Sequence, residues 1–158
     1  MAMNKLNRRE WLGALTGVAA GAFVWRSASA QTKTPIAVYK DPSCGCCHNW
    51  VEHMKANGFA PTVTDTSDVN KIKRAHGMPE ALWSCHTALI GAYVIEGHVP
   101  ASDVRRLLAE QPKTVAGLTI PGMPASAPGM DVKPFQPYTV LSFDAKGKTA
   151  VFAEHKKA

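Results

Sequence analysis

The chain contains an apolar run, a turn and three crowded cysteines in the order Ile36-Ala37-Val38-Tyr39-Lys40-Asp41-Pro42-Ser43-Cys44-Gly45-Cys46-Cys47. Residues 36–39 are apolar and β-prone, so we predict a buried strand there. Pro42 marks a turn, and a helix is expected to begin within the cysteines and to end near Asn57. Three of the four cysteines therefore lie at a strand-to-helix junction, and the fourth, Cys85, is followed by His86.

The later apolar pattern predicts alternating strands and helices. After the first helix we expect a strand over 60–65 and a short helix that Asp68 caps. The side chains that this helix is expected to direct inward are Val69, Ile72 and Ala75. Two adjacent strands, 87–90 and 93–95, precede a helix that Pro100 opens. The predicted fold class is therefore α/β, in the order β-α-β-α-β-β-α.

The C-terminal third has two predicted parts. Residues 112–137 contain six prolines and three glycines without regular periodicity, so we predict a Pro/Gly/Met-rich loop that wraps the domain. Residues 138–153 predict a terminal β-hairpin that turns at Asp144-Ala145-Lys146-Gly147.

Residues 1–30 have the features of an export signal. A basic start precedes a short apolar stretch over 12–24, and Ala28-Ser29-Ala30 suits a cleavage site. The apolar stretch is too short for a comfortable membrane span. The segment Asn7-Arg8-Arg9-Glu10-Trp11-Leu12 is similar to a twin-arginine signal. We therefore expect a cleaved signal peptide, a periplasmic domain over 31–158, and no membrane attachment after cleavage.

The positive charge of the chain does not indicate a nucleic-acid-binding protein. The formal net charge is +6 at pH 7, and residues 1–30 carry half of this excess. The remaining sequence has no stripe of Lys and Arg interleaved with aromatic residues. Its length suits one domain with a hydrophobic core.

The cysteine spacing is compatible with two chemistries. Cys44 and Cys47 have the C-x-x-C spacing of thiol–disulfide oxidoreductases, and a helix start lowers the pKa of a thiol. The same thiolate binds metals, so the helix position alone does not discriminate. A third thiol, Cys46, invites wrong disulfides in an oxidoreductase, whereas thiolates that bridge neighbouring Cu(I) ions explain the crowding.

Two further interpretations stay open. Four cysteines can form a tetrahedral zinc site, although structural zinc sites prefer two separated pairs to a triplet and a single residue. A disulfide-stapled module without metal is the other interpretation, because exported proteins fold in an oxidising compartment. Disulfides among three cysteines within four residues, however, close only a very short loop and so constrain the unfolded chain very little.

Several separate motifs resemble the CopG-type family of small periplasmic metal-binding proteins, which is associated with copper resistance and often described only as a domain of unknown function. The matching stretches are Tyr39-Lys40-Asp41-Pro42-Ser43-Cys44-Gly45-Cys46-Cys47, Ser84-Cys85-His86-Thr87, Tyr93-Val94-Ile95-Glu96-Gly97-His98-Val99-Pro100, Pro121-Gly122-Met123-Pro124 and Pro128-Gly129-Met130. The order of elements also resembles a thioredoxin-type arrangement. The resemblance implies a thioredoxin-like fold with copper held by Cys44, Cys46, Cys47 and Cys85.

Further candidate ligands are His86, Met123 and Met130. If Cys85 lies in a loop rather than in a strand, both it and His86 can face the site, because successive strand residues point to opposite faces. Met123 and Met130 each follow a glycine in the Pro-rich loop, and thioethers bind Cu(I). We expect His98, in a turn, to be solvated.

The sequence therefore predicts an exported protein that holds copper, as one or several Cu(I) ions, for copper resistance or homeostasis. Copper ions are its expected cargo, and another periplasmic copper-handling protein is a candidate partner. A metal-binding protein fits the pattern better than an enzyme does. A redox activity on copper or on disulfides stays open, with Cys44 and Cys47 as the reactive pair.

Overall fold

The computed structural model describes residues 32–157, and the predicted signal peptide over residues 1–30 lies outside them. The described residues form a seven-stranded mixed sheet and three α-helices. The strands are β1 (Thr34–Lys40), β2 (Phe59–Asp65), β3 (His86–Ile90), β4 (Tyr93–Glu96), β5 (Gly117–Thr119), β6 (Tyr138–Phe143) and β7 (Thr149–His155). The helices are α1 (Gly45–Ala56), α2 (Val69–Ala75) and α3 (Ala101–Glu110). Over residues 32–157, no helix is long and apolar enough to span a membrane.

The sheet has the strand order β2-β1-β3-β4-β5-β6-β7. The β1–β2 and β4–β5 pairs are parallel, and the other neighbours are antiparallel. The predicted α/β class and the order β-α-β-α-β-β-α are confirmed, and the predicted terminal hairpin is present as β6 and β7. The thioredoxin-like interpretation of this order stays a prediction.

The prediction of a continuous loop over residues 112–137 was wrong. Gly117–Thr119 is strand β5, which lies between β4 and β6. Three residues are too few to show an alternating pattern of apolar and polar side chains. The strand begins at a glycine because the backbone of β4 lies too close for a side chain. A Cβ at Gly117 would lie 2.0 Å from the carbonyl oxygen of Val94. Residues 120–137 contain turns and bends and no further helix or strand.

The two faces of the sheet bury different clusters. Trp50 of α1 and Leu107 of α3 belong to one cluster, together with Val38 and Ile95 of the sheet. The other face buries a smaller cluster that consists of Met78, Leu82, Val94 and Phe143. Because successive strand residues alternate, Ile95 faces α1 and α3, whereas its two neighbours in β4 face the side of α2.

Helix α2 buries a charged residue beside an apolar one, since Lys73 and Val69 are its buried residues. Asp68 caps the helix as predicted, since its carboxylate accepts a hydrogen bond from the backbone N–H of Lys71 (3.0 Å). The prediction that Ala75 points inward was wrong, because Ala75 is exposed and Lys73 is buried. The inward face of this short helix therefore combines Val69, as predicted, with Lys73, whose ammonium is held there by an ion pair.

The Pro-rich segment is fixed to α1 at Gly129. This glycine has a φ of +86°, and a Cβ there would lie 2.7 Å from the backbone nitrogen of Trp50 and 2.9 Å from the carbonyl oxygen of Cys46. The Asn49 amide donates a hydrogen bond to the Gly129 carbonyl oxygen (3.3 Å). The segment therefore lies directly against the first turn of the helix that carries the cysteines.

We expect Gly129→Ala to lower the free energy of unfolding by about 2–4 kcal/mol, because the new methyl group meets backbone atoms and the residue keeps a positive φ. Gly122→Ala is the matched control. Gly122 has a φ of +78° with nothing within 4 Å of its Cβ position, so this variant should lose only about 1 kcal/mol. Equilibrium urea unfolding, followed by tryptophan fluorescence, measures both losses. Equal losses would contradict the close contact at Gly129.

Candidate metal centre

The four cysteine sulfur atoms lie within 4.8 Å of one another at the start of α1. Cys44 is the N-cap residue of this helix, and Cys46 and Cys47 lie in its first turn. Cys85 lies in a bend immediately before β3, so strand alternation does not restrict its side chain. The structure brings the four cysteines together as predicted, and their role as metal ligands stays a prediction.

The pairing of β1 with β3 explains this convergence. Lys40 is the last residue of β1 and pairs with His86, the first residue of β3. The turn after Lys40 is short because the Asp41 carboxylate accepts hydrogen bonds from the backbone N–H and the hydroxyl of Ser43 (2.8 and 2.5 Å). The cysteine triplet after this turn and Cys85 before β3 therefore meet at one end of neighbouring strands.

Two of the four cysteines are oxidised in the structure. Cys44 and Cys47 form a disulfide, and Cys46 and Cys85 are free thiols. The Cys46 sulfur lies 3.5 Å from that of Cys44. Cys47 is buried, whereas the other three cysteines are half-buried. The predicted four-thiolate site thus belongs to the reduced protein, which forms from the disulfide by uptake of two electrons and two protons.

Two imidazoles contact the Cys85 sulfur. It lies 3.3 Å from Nδ1 of His86 and 3.1 Å from Nε2 of His98. One ligand atom from each of these three residues lies within 4.8 Å of the other two. Cys85 therefore belongs both to the cluster of four cysteines and to this group with the two histidines. The site as a whole combines four sulfur atoms with two imidazole rings.

The hydrogen bonds assign the protons of this cluster. A carbonyl oxygen only accepts, so Nδ1 of His98 carries the hydrogen that it donates to Pro128 (2.7 Å), and its Nε2 lone pair faces Cys85. Burial, assisted by the nearby Cys46, raises the pKa of Cys85 to about 11, so Cys85 donates its S–H to His98 at neutral pH. Burial lowers the pKa of His86 and of His98, which keeps both rings in the neutral form that binds metals.

The prediction that His98 is solvated was wrong. Its relative exposure is 0%, and its ring lies 5.1 Å from that of His86. The β3–β4 hairpin pairs Thr87 with Glu96, and the Gly97 N–H donates to the His86 carbonyl oxygen (3.0 Å). Continuing this register by two residues places His98 opposite Cys85. Counting along the predicted hairpin is the signal by which the sequence could have identified it.

His86 is completely buried beside Trp50. The ring centroids lie 4.4 Å apart, and the Trp50 indole N–H donates to the carbonyl oxygen of Val99 (2.9 Å). Among the described residues, Nε2 of His86 has no hydrogen-bond partner. An unpaired buried polar atom costs about 1–3 kcal/mol, so packing alone does not account for a histidine at this position.

Two solved structures, described as "Copper resistance protein copG- Form 1" and "Copper resistance protein copG- Form 2", are similar to this chain. Each has 36% sequence identity and a TM-score of 0.73, and each match covers 78% of this chain and 98% of the other. This chain belongs to the CopG-type family. A family model described as "Protein of unknown function, DUF411" matches residues 82–130. No curated protein sequence matches the chain.

The family membership confirms the resemblance that the motifs predicted. The matched residues 82–130 include Cys85, His86 and His98 but not the cysteine triplet. The structural similarity covers 78% of the chain, which is more than residues 82–130 alone.

The two methionines of the Pro-rich segment lie in different surroundings in this CopG-type chain. Met123 has 43% of its surface exposed. Met130 is half-buried and directly follows Gly129, which lies against the first turn of α1. Their role as copper ligands stays a prediction.

The Cys85 thiol of this CopG-type protein should react slowly with iodoacetamide, which attacks only the thiolate. A pKa of about 11 instead of the ordinary 9.0 leaves about 100-fold less thiolate at pH 8. The rate should rise about tenfold per pH unit until the pH approaches the pKa. Mass spectrometry of the Cys85 peptide measures the rate. An equal rate in the folded and the urea-unfolded protein would contradict the raised pKa.

Proposed function

We propose that this protein binds copper as Cu(I) at its four cysteines, in the reduced form, and serves copper resistance or homeostasis in the periplasm. The observation that carries the proposal is the convergence of four sulfur atoms within 4.8 Å. Thiolates favour soft metal ions, among them Cu(I). The two similar structures are described as copper resistance proteins, and residues 1–30 have the features of an export signal.

The arrangement of the thiols favours several ions over one. Cys46 and Cys47 are consecutive, and the planar peptide between them hinders both sulfurs from binding the same ion. They suit neighbouring ions that share a bridging sulfur. Thiols must lose their protons on binding, so loading copper at Cys85, whose pKa is raised to about 11, releases a proton at neutral pH.

We add His98 to the proposed ligand set, beside His86. The Nε2 lone pair of His98 points at the Cys85 sulfur from 3.1 Å, and its Nδ1–H is held by the Pro128 carbonyl oxygen. Metal-binding histidines commonly have their second nitrogen held in this way, because the bond fixes the tautomer and the ring orientation. A Cu(I) ion on the Cys85 side thus has sulfur and nitrogen donors within reach.

Thiol–disulfide exchange by Cys44 and Cys47 is a second candidate function. The disulfide at the start of α1 favours it. Cys44 is half-buried and Cys47 is buried, which suits an attacking sulfur that reaches a partner and a resolving sulfur that does not. Cys46 and Cys85 have no part in such a two-thiol cycle, so substitution of Cys46 separates the two functions.

A Cu(I) titration of the mature protein, reduced with a phosphine under anaerobic conditions, tests the proposal. The reduced protein should bind more than one copper ion per chain in competition with a chromophoric Cu(I) chelator. The oxidised protein should bind fewer, because Cys44 and Cys47 are then unavailable as thiolates. Cys46→Ser should lose most of the copper, whereas its ability to reduce insulin disulfides should equal that of the parent protein.

Gly45→Ala is the matched control for Cys46→Ser. Gly45 lies between two of the cysteines, and a Cβ there meets nothing within 4 Å, so copper uptake should not change. The copper proposal is contradicted if the reduced protein binds no Cu(I), or binds only Zn(II). Rapid insulin reduction without copper uptake would instead establish the oxidoreductase.

A further inference from the structure

A buried ion pair lies beneath the loop that carries Cys85. Lys73 of α2 and Glu96 at the end of β4 form a salt bridge, with side-chain exposures of 2% and 0%. The Thr87 hydroxyl accepts a hydrogen bond from the Lys73 ammonium (3.0 Å) and donates one to the second Glu96 oxygen (2.7 Å). Both charges are thus paired inside the domain, on the face of the sheet that α2 covers.

Stability alone does not explain this pair. Moving two charges out of water costs several kcal/mol for each ion, and apolar residues of similar volume are often equally stable or more so. A buried ion pair is better explained if its polar groups hold part of the backbone in a position that apolar side chains would not fix. The contacts of the Glu96 carboxylate identify that part of the backbone.

The Glu96 carboxylate holds the backbone of the Cys85 loop. Its Oε1 accepts a hydrogen bond from the backbone N–H of Ser84 (2.5 Å), and Ser84 directly precedes Cys85. Hydrogen bonds to a charged acceptor are shorter and about twice as strong as neutral ones. Gly97 lies against the same loop, because a Cβ there would lie 2.8 Å from the Cβ of Ser84. Ser84 is therefore held against the end of β4 by both Glu96 and Gly97.

We propose that Glu96, oriented by Lys73 and Thr87, is a positioning residue for the Cys85 sulfur. The carboxylate anchors Ser84 and thereby keeps the sulfur within 4.8 Å of the cysteine triplet. The inference rests on the proposed function only where copper binding is measured. Whether the Cys46 and Cys85 thiols lie close together can be measured without copper.

Paired variants test the anchor without leaving an unpaired buried charge. Lys73→Met/Glu96→Leu removes both charges and the acceptor of the Ser84 N–H. Lys73→Met/Glu96→Gln also removes both charges but keeps an amide oxygen for that N–H. The control is Glu52→Gln/Lys55→Met, which removes an exposed ion pair of α1. Circular dichroism and urea unfolding establish that each variant is folded.

Phenylarsine oxide supplies the metal-free readout. In the oxidised protein, Cys46 and Cys85 are the free thiols, and the arsenic bonds to both sulfurs while its oxygen leaves with the two thiol protons as water. The parent, the Gln variant and the control should be bridged by one arsenical. The Leu variant should need at least about tenfold more reagent, as expected when a supporting contact of a ligand is lost.

Cu(I) affinity of the reduced proteins supplies the second readout. The Leu variant should bind copper about tenfold more weakly than the parent, and the Gln variant should recover most of this loss. A folded Leu variant that bridges arsenic as readily as the parent overturns the inference. If no protein takes up Cu(I) but the Leu variant alone loses arsenic bridging, the proposed function fails and the positioning role of Glu96 stands.

A milder variant covers the case in which the Leu variant does not fold. Thr87→Val keeps the shape of the side chain and the ion pair but removes the hydroxyl that orients the carboxylate. It should need more arsenical than the parent, but less than the roughly tenfold excess expected for the Leu variant. Bridging identical to that of the parent would overturn the inference.

Discussion

The antiparallel pairing of Lys40 with His86 is the constraint on which the rest of the site depends. It places the end of β1, and the cysteine turn that follows, beside the start of β3. Side chains alternate along a strand, so a slip of one residue would turn His86 away from α1 and displace the neighbouring Cys85. The β3–β4 register then adds His98 from the bend that follows β4. Ordinary sheet pairing thus gathers distant residues around one sulfur.

Burial sets the chemistry of this site as strongly as proximity does. It raises the pKa of Cys85 and lowers the pKa values of both imidazoles, so the free protein holds a thiol between two neutral rings. A hydrogen bond to the Pro128 carbonyl oxygen holds the His98 ring, and one from Ser84 to Glu96 holds the loop before Cys85. Nε2 of His86 is left without compensation among the described residues.

Much of the fold follows from local sequence signals. The apolar run of β1, the Asp68 cap of α2 and the terminal hairpin each have a pattern that predicts them, and the cysteine motifs predict the centre of the site. Strand β5 has no such signal, because it is three residues long and depends on its neighbours. Lys73 has none either, since its burial results from tertiary contacts, whereas the position of His98 follows from counting residues along the β3–β4 hairpin. The oxidation state of Cys44 and Cys47 depends on the redox conditions and not on the residue pattern.

Copper K-edge X-ray absorption of the reduced, Cu(I)-loaded protein tests the central claim most directly, because it reports the atoms bound to copper. The account predicts a first shell dominated by sulfur, with a minor nitrogen contribution and scattering between neighbouring copper ions. A first shell of nitrogen and oxygen alone would contradict it.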